Sequence, residues 1–158
     1  MMKKKGKYLG EILIGKGLIT DSELQMAIQE QLRNKKFIGI MLIEKGLISE
    51  GDLLIALAEQ FDIEPIRLAD IEIDWEAATR FSSSMITDYK CLPIKADEET
   101  VTLAIANPLD VWVLDKAEKE VAPCTLKVVL TTITDMDEAI KEHRRRSIRN
   151  MMKKWKKD

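Results

Sequence analysis

The sequence predicts an α+β protein in which a helical part, built from a tandem repeat, is followed by a small three-stranded sheet with helices. The first supporting observation is the repeat: YLGEILIGKGLITDSELQMAIQEQ, residues 8–31, aligns without gaps on FIGIMLIEKGLISEGDLLIALAEQ, residues 37–60, at an offset of 29. The second is a change after Pro65 from paired helices to helices alternating with apolar strands. The third is composition, because 46% hydrophobic and 33% charged residues among 158 suit a chain that folds around one core or two small ones.

Each repeat predicts a short helix, a glycine stop and a second helix. In the first copy the apolar positions within 9–13 share a helical face, and Gly17 then suits the left-handed conformation that ends many helices. Thr20 and Ser49 are N-cap residues, each followed by an acid three positions later. The second helices are therefore expected at about 21–33 and 50–61. Either hairpin alone is too small to bury its apolar side, so the two are expected to pack on each other.

The remainder of the chain predicts short mixed elements. Helices are expected at 74–80, near 84–89, from Asn107 to about 120 and from Thr134 onward, with strands at 91–96, 101–106 and 125–131. The segment Asn107-Pro108-Leu109-Asp110 supplies an N-cap, a first-turn proline and an acid for the third of these helices. The apolar spacing of the last helix can carry it well into the basic end of the chain.

These patterns divide the chain into a helical tandem-repeat subdomain (1–64), an α/β subdomain (65–140) and a basic C-terminal helix or tail (141–158). The net charge of −2 is distributed unevenly, because the lysines at 3, 4, 5 and 7 contribute +4, residues 141–158 contribute +7 and residues 8–140 carry −13. A negative body with a positive tail indicates an anionic partner for the tail, or a tail that folds against its own acidic domain.

Membrane-spanning and secreted classes are not indicated by the sequence. No apolar run approaches the roughly 18 residues that a spanning helix needs, and Glu11 and Lys16 interrupt the segment that a signal peptide would require. The expected location is the cytoplasm, with peripheral attachment to the inner membrane as a second option. Cys91 and Cys124 fall in predicted strands and are expected to be two reduced core thiols.

The repeat also resembles a known family motif. Each copy has Leu or Ile, Gly, two later apolar positions, Gly-Leu, and then Leu, Ala and Gln, and the spacer 32–36 has five residues. Asn107-Pro108-Leu109-Asp110 is similar to the family's Asp-Pro-Leu-Asp segment. Together these features resemble the N-terminal domain of type II secretion and type IV pilus assembly ATPases, including the MshEN-type domain that binds cyclic di-GMP.

The resemblance implies a non-catalytic regulatory or adaptor domain that docks to a protein partner of a secretion or pilus machine and, in some members, binds cyclic di-GMP. A two-fold dinucleotide suits a duplicated motif, because each copy can present the same surface to one half of the ligand. In this reading Gly10 and Gly39 let backbone approach the ligand, Leu13, Ile14, Leu42 and Ile43 pad ribose and base, and the two glutamines lie at the rim. The implied ligand-binding residues are Tyr8, Leu9, Gly10, Leu13, Ile14, Gly17, Gln31, Phe37, Ile38, Gly39, Leu42, Ile43, Gly46, Gln60 and Asp110.

The chain departs from the family motif at one pair of positions. Where the family has Arg before Leu-Gly, this chain has Tyr8 and Phe37, each preceded by a lysine. An Arg fork can make two bonds to guanine O6 and N7 and stack on a ring, and a flexible lysine one residue earlier is not equivalent. The two aromatic rings either stack on guanine or close the core of the repeat.

An alternative function lies in the tail. Residues 143–157, HRRRSIRNMMKKWKK, predict a helix with an apolar side and cations around it, which suits an anionic membrane surface or nucleic acid. No enzyme is expected, because the phosphate loop Gly-x-x-x-x-Gly-Lys-[Ser/Thr] is absent from the sequence and the single histidine, His143, has no cysteine near it in sequence. No metal site is expected either.

Overall fold

The computed structural model describes residues 8–157, so the N-terminal lysines at 3, 4, 5 and 7 lie outside the described part of the chain. The chain divides into two compact units, Met1–Ile63 and Glu64–Asp158. The helices are α1 (Leu9–Gly15), α2 (Asp21–Asn34), α3 (Ile38–Glu44), α4 (Glu50–Phe61), α5 (Ser83–Tyr89), α6 (Val111–Val121) and α7 (Ile133–Trp155). The strands are β1 (Glu64–Pro65), β2 (Cys91–Ala96), β3 (Thr100–Ile105) and β4 (Thr125–Leu130), and short 3₁₀ helices occupy Leu68–Asp70 and Ala77–Arg80.

The first unit is the predicted pair of helical hairpins, packed crosswise. Helix α1 of the first repeat packs on α4 of the second, and α3 of the second packs on α2 of the first. Leu13 and Leu42, at the same position of the two repeats, are fully buried, as are Ala27 and Ala56. Burial of these and the other apolar side chains of the unit stabilises this core.

Local capping signals set the ends of the second helices in both repeats. Thr20 and Ser49 accept hydrogen bonds from the backbone N–H three residues later, at 3.1 and 3.0 Å. The acids at those later positions, Glu23 and Asp52, accept in return from the N-cap backbone N–H at 2.8 and 2.9 Å. These reciprocal pairs satisfy backbone donors that a helix start leaves open, so α2 and α4 begin where the sequence predicts.

The second unit contains a four-stranded sheet in the order β1-β4-β3-β2. Strands β2 and β3 form an antiparallel hairpin, whereas β3 and β4 run parallel and are joined through α6. The α+β class is confirmed, and the sheet has one strand more than predicted, because the two residues of β1 pair in parallel with the end of β4. This pairing is non-local, so it leaves no periodic pattern in the sequence.

Two predicted helix starts and one predicted helix differ from the structure. Helix α6 is capped by Asp110, whose Oδ1 accepts from the Val113 N–H at 3.4 Å, whereas Asn107 caps the preceding turn. Helix α7 is capped by Thr132 rather than Thr134. In each case two residues that can act as N-caps lie within three positions of each other, and the residue predicted from sequence spacing is not the one that caps the helix. The helix predicted at 74–80 is reduced to the 3₁₀ turn Ala77–Arg80.

Helix α7 is anchored to its unit through its first two turns. Its buried residues are Asp135, Met136, Ala139 and Ile140. Asp135 accepts from Arg67 Nε at 2.9 Å and Arg67 Nη2 at 3.1 Å, a bidentate pair that ties the helix start to the segment following β1. Across residues 8–157, none of the helices combines the length and apolar character needed to cross a lipid bilayer.

Both cysteines are free. Cys91 begins β2 and is fully buried, as expected. Cys124 is half-exposed and precedes β4, so its placement in a strand core was wrong. Strand β4 begins at the next residue, Thr125, which is where the predicted strand 125–131 begins.

Candidate functional site

The duplicated turns between the paired helices have the same backbone geometry. Gly17 and Gly46 adopt φ values of 72° and 71°, the left-handed conformation expected for them. The Gly17 N–H bonds the Ile14 carbonyl at 2.9 Å, and the Gly46 N–H bonds the Ile43 carbonyl at the same distance. The repeat therefore presents two copies of one exposed turn, each bordered by a half-buried isoleucine.

Reciprocal ion pairs relate the two copies. Lys16 of the first repeat pairs with Glu59 of the second at 3.0 Å, and Lys45 of the second pairs with Glu30 of the first. Lys45 is the counterpart of Lys16, and Glu59 is the counterpart of Glu30, because each pair of positions differs by the repeat offset of 29 residues. Exchange of the two repeats therefore converts one ion pair into the other. A surface in which residue i meets j and j meets i is the mark of two-fold symmetry. Sequence analysis missed these four residues, although their shared offset was the available signal.

Gly10 and Gly39 have a packing role within each repeat. A Cβ at Gly10 would lie 2.6 Å from Leu24 Cδ2, and a Cβ at Gly39 would lie 2.6 Å from Leu53 Cδ1. Leu24 and Leu53 occupy equivalent positions of α2 and α4. The space opened by each glycine is thus filled by a leucine of its own hairpin, which lets the two helices approach closely. The expectation that these glycines also let backbone approach a ligand stays a prediction.

The aromatic residues that stand where the family has arginine differ in exposure. Tyr8 is 65% exposed at the N-cap of α1, and its backbone N–H donates to Glu11 Oε2 at 3.2 Å. Phe37 is half-buried at the N-cap of α3, with its ring edge over Gly39. The Tyr8 ring is therefore not a core residue, whereas Phe37 contributes to packing and shows only part of its ring.

A second difference separates the two copies electrostatically. Lys36 Nζ lies 3.2 Å from both carboxylate oxygens of Glu44. The counterpart of Glu44 in the first repeat is Gly15, so no carboxylate stands at that position. The cation that precedes Phe37 is thus held by an acid that the other copy lacks. The lysine that precedes Tyr8, at position 7, lies outside the described residues.

The remaining predicted site residues fall into three groups. Leu9, Leu13 and Leu42 are buried in the core of the first unit, while Ile38 is half-buried. Gln31 is half-buried and donates from Nε2 to the Lys36 carbonyl at 3.0 Å, so it fixes the spacer between the repeats. The counterpart, Gln60, is only 6% exposed and does not form an open rim. Asp110 belongs to the second unit, where it caps α6.

Groups capable of covalent or metal chemistry are not assembled in the described part of the chain. Within residues 8–157 no three or more His, Cys, Asp or Glu side chains are grouped as metal ligands require. Burial raises the pKa of Cys91 to about 12, helped by the charges of Glu120 and Asp110, so this thiol stays protonated. Burial also lowers the pKa of His143. The arrangement at the repeats suits binding of a partner or ligand.

The fold and the repeated surface define a class: an α+β domain with a tandem helical repeat, as in the N-terminal domains of secretion and pilus ATPases. A family model, the MshEN domain, matches residues 61–150, which is more than half of the chain. The chain belongs to the MshEN domain family. The matched residues begin at the end of α4 and extend into the exposed half of α7. A comparison with curated proteins gave no match.

Solved structures share the fold over most of the chain. MshE, solved with cyclic di-GMP (cdg), is 22% identical with a TM-score of 0.80, covering 87% of this chain and 99% of that one. The N-terminal domain of XpsE is 19% identical with a TM-score of 0.63, covering 84% and 91% of the two chains. A second crystal form of the XpsE domain, I4122, gives 18% identity and a TM-score of 0.54, covering 89% and 98%. Because each match covers at least 84% of the 158 residues, each extends into the helical part that precedes the family match.

Proposed function

We propose that this chain is a non-catalytic regulatory domain of the secretion and pilus ATPase type, and that its tandem repeat binds cyclic di-GMP. The single observation that carries the proposal is the reciprocal arrangement of the repeats, shown by the Lys16–Glu59 and Lys45–Glu30 pairs. This arrangement creates a pseudo-two-fold surface within a single chain. A ligand with the same symmetry can make each contact twice.

The exposed parts of that surface suit a nucleotide. Tyr8 offers a ring on which a purine can stack, and Ile14 and Ile43 offer half-buried apolar contacts at equivalent positions. MshE, which shares the fold, was solved with this dinucleotide. The ligand class therefore fits both the symmetry and the chemistry of the repeats.

The same surface favours weak binding. Residues 8–63 contain five cations and nine acids, a net charge of −4, which opposes a ligand that carries two phosphates. Lys36, which precedes Phe37, is already paired with Glu44. Without the motif arginines we expect affinity well below that of a site that reads guanine with a bidentate fork.

The test restores the missing arginines. Isothermal titration of cyclic di-GMP into the full chain is expected to show weak binding, and Tyr8→Arg with Phe37→Arg is expected to tighten it at least about tenfold, since one bidentate contact contributes roughly 1–3 kcal/mol. Met26→Arg with Ile55→Arg is the matched control, because these exposed positions are also related by 29 residues and gain the same charge.

The result decides between ligand recognition and charge alone. An equal gain in the control pair would show that added positive charge, not guanine recognition, causes the tightening. Absence of binding in both the unmodified chain and the double arginine variant would refute cyclic di-GMP as the ligand.

A docking role is proposed alongside ligand binding, in the cytoplasm and next to the inner membrane. It is favoured by an apolar patch at the start of α6, where Leu109, Val111 and Trp112 are 46%, 56% and 72% exposed. Exposed tryptophan is enriched at protein interfaces, and three adjacent apolar side chains in water are otherwise unfavourable. The occupant would be the membrane-platform protein of a secretion or pilus machine.

The docking test uses Trp112→Ala with the cytoplasmic domain of that platform protein. Affinity measured by biolayer interferometry is expected to fall at least about tenfold, as for a central aromatic contact. Trp155→Ala, which removes an equally exposed tryptophan elsewhere, serves as the control. Unchanged affinity of Trp112→Ala would refute this patch as the docking surface.

A further inference from the structure

The last third of α7 extends past the core of its own unit. Ile140 is the last buried residue of the helix, and His143 and Ser147 are half-buried. Arg146 lies over the Trp75 ring, with its guanidinium carbon 4.8 Å from the ring centroid. From Ile148 to Lys157 every residue is exposed. The helix is therefore held along its first half, and its second half presents all its faces.

The exposed half has a continuous apolar stripe. Ile148, Met151, Met152 and Trp155 are 56%, 56%, 54% and 79% exposed. Their spacing of three, one and three residues places them within an arc of about 100° on a helix of 3.6 residues per turn. Solvated helix ends do not ordinarily collect four large apolar side chains on one side, so the stripe is expected to be covered by something.

Cations flank the stripe. Residues 147–157 contain five Lys or Arg and no acid. One border of the stripe forms a shallow groove lined by Arg145, Ile148, Arg149, Met152, Lys153 and Lys156. Within the described residues, none of the five cations from Arg149 onward takes part in an ion pair. The face therefore combines exposed apolar side chains with lysines and arginines that are not paired with acids among residues 8–157.

We propose that residues 148–157 bind an anionic phospholipid surface, with the apolar stripe inserted at the level of the headgroups and the flanking cations among the lipid phosphates. An interfacial helix needs an apolar face, cations on long stems beside it and an interfacial aromatic, and Trp155 supplies the last. This inference is independent of ligand binding at the repeats.

Two other occupants fit the face less well. Nucleic acid would account for the cations but would leave Ile148, Met151 and Met152 in water. A second copy of the helix, packed stripe to stripe, would bring two rows of uncompensated cations together. An anionic lipid surface satisfies both the apolar and the charged parts of the face.

Vesicle co-sedimentation tests the proposal on the full chain. We expect binding to phosphatidylcholine vesicles that contain about 30% phosphatidylglycerol, weak binding to pure phosphatidylcholine, and weakening when NaCl rises from about 0.1 to about 0.5 M. Ile148→Ala with Trp155→Ala is expected to lower the partition coefficient at least about tenfold, because buried apolar area is lost without a change in charge. Met26→Ala with Leu32→Ala, which shortens two exposed apolar side chains outside this helix, is expected to bind like the unmodified chain.

Other results would overturn the proposal. Binding of the double variant equal to that of the unmodified chain would show charge attraction without insertion. Tighter binding to a DNA duplex of about 20 base pairs than to vesicles, at equal salt, would assign the face to nucleic acid. If sedimentation velocity shows a dimer of the unmodified chain and only a monomer of the double variant, the apolar face would be assigned to contact with a second copy. Circular dichroism of the double variant confirms the fold, since both replaced side chains are exposed.

Discussion

Replacement of the two equivalent glycines by alanine should have unequal effects on stability. At Gly39 the new methyl would lie 2.6 Å from Leu53 Cδ1 and 2.8 Å from the Phe37 ring, and Leu53 is only 5% exposed. At Gly10 it would meet the methyls of Leu24, which is half-exposed and has room to rotate. The same substitution therefore strains a closed site in one repeat and an open site in the other.

The magnitudes follow from two opposing contributions. Alanine gains about 1 kcal/mol over glycine in helix propensity, whereas overpacking a filled core costs roughly 1–3 kcal/mol. After the gain in helix propensity is subtracted, we expect Gly39→Ala to lose up to about 2 kcal/mol of unfolding free energy, and Gly10→Ala to stay within about 1 kcal/mol of the unmodified chain. Urea unfolding followed by far-ultraviolet circular dichroism measures both.

Two outcomes would contradict this reasoning. A Gly39→Ala chain about 1 kcal/mol more stable than the unmodified protein would show that Leu53 and Phe37 repack at no cost. A larger loss at Gly10 than at Gly39 would show that exposure of the facing leucine does not set the penalty. Titration of the same variants with cyclic di-GMP separates roles, because a stable variant that no longer binds would return Gly39 to the ligand site.

Three further predictions concern single residues. Asp135→Asn should lose roughly 1.5–3 kcal/mol at pH 7, because Arg67 hydrogen-bonds the charged carboxylate and lowers its pKa. Because the pKa of Asp135 is lower in the folded than in the unfolded chain, its carboxylate stabilises the fold above the unfolded pKa, and this stabilisation is lost as the pH falls through the folded pKa. The stability difference between the unmodified chain and Asp135→Asn should therefore shrink below about pH 4. A difference that does not change with pH in chemical denaturation would contradict this. Iodoacetamide at about pH 8 should alkylate half-exposed Cys124 well before buried Cys91, and equal rates by mass spectrometry would refute the burial argument. Gly46→Ala should lower the free energy of unfolding by about 1 kcal/mol, because alanine is strained in the left-handed conformation of Gly46, and Gly46→Asn should lower it less. Equal melting temperatures of the two variants would contradict this prediction.

Local signals made the first unit predictable. The caps at Thr20 and Ser49 and the left-handed glycines act within a few residues of themselves, so sequence spacing is enough to place them. The paired β2 and β3 were found for the same reason, since a short polar turn joins two apolar runs.

The features that could not be predicted from the sequence depend on contacts between residues that are far apart in the chain. Strand β1 exists because β4 lies beside it, and its two residues carry no strand pattern of their own. The Lys16–Glu59 pair joins residues 43 apart, and nothing near either residue in the sequence indicates the other. The glycine at position 10 illustrates a different limit, because the sequence does not indicate that Leu24 of the same hairpin lies against it.

The exchanged packing of the hairpins bears on how such a unit arises. Helix α1 packs on α4 and α2 packs on α3, so a lone hairpin would lack both of these contacts. A single-copy ancestor would have needed a second molecule, with Lys16 of one chain meeting Glu30 of its twin and the reverse. Joining the two molecules by five residues keeps every contact of such a homodimer and removes its dependence on concentration. Once fused, the halves were free to diverge, as Glu44 and Gly15 already have.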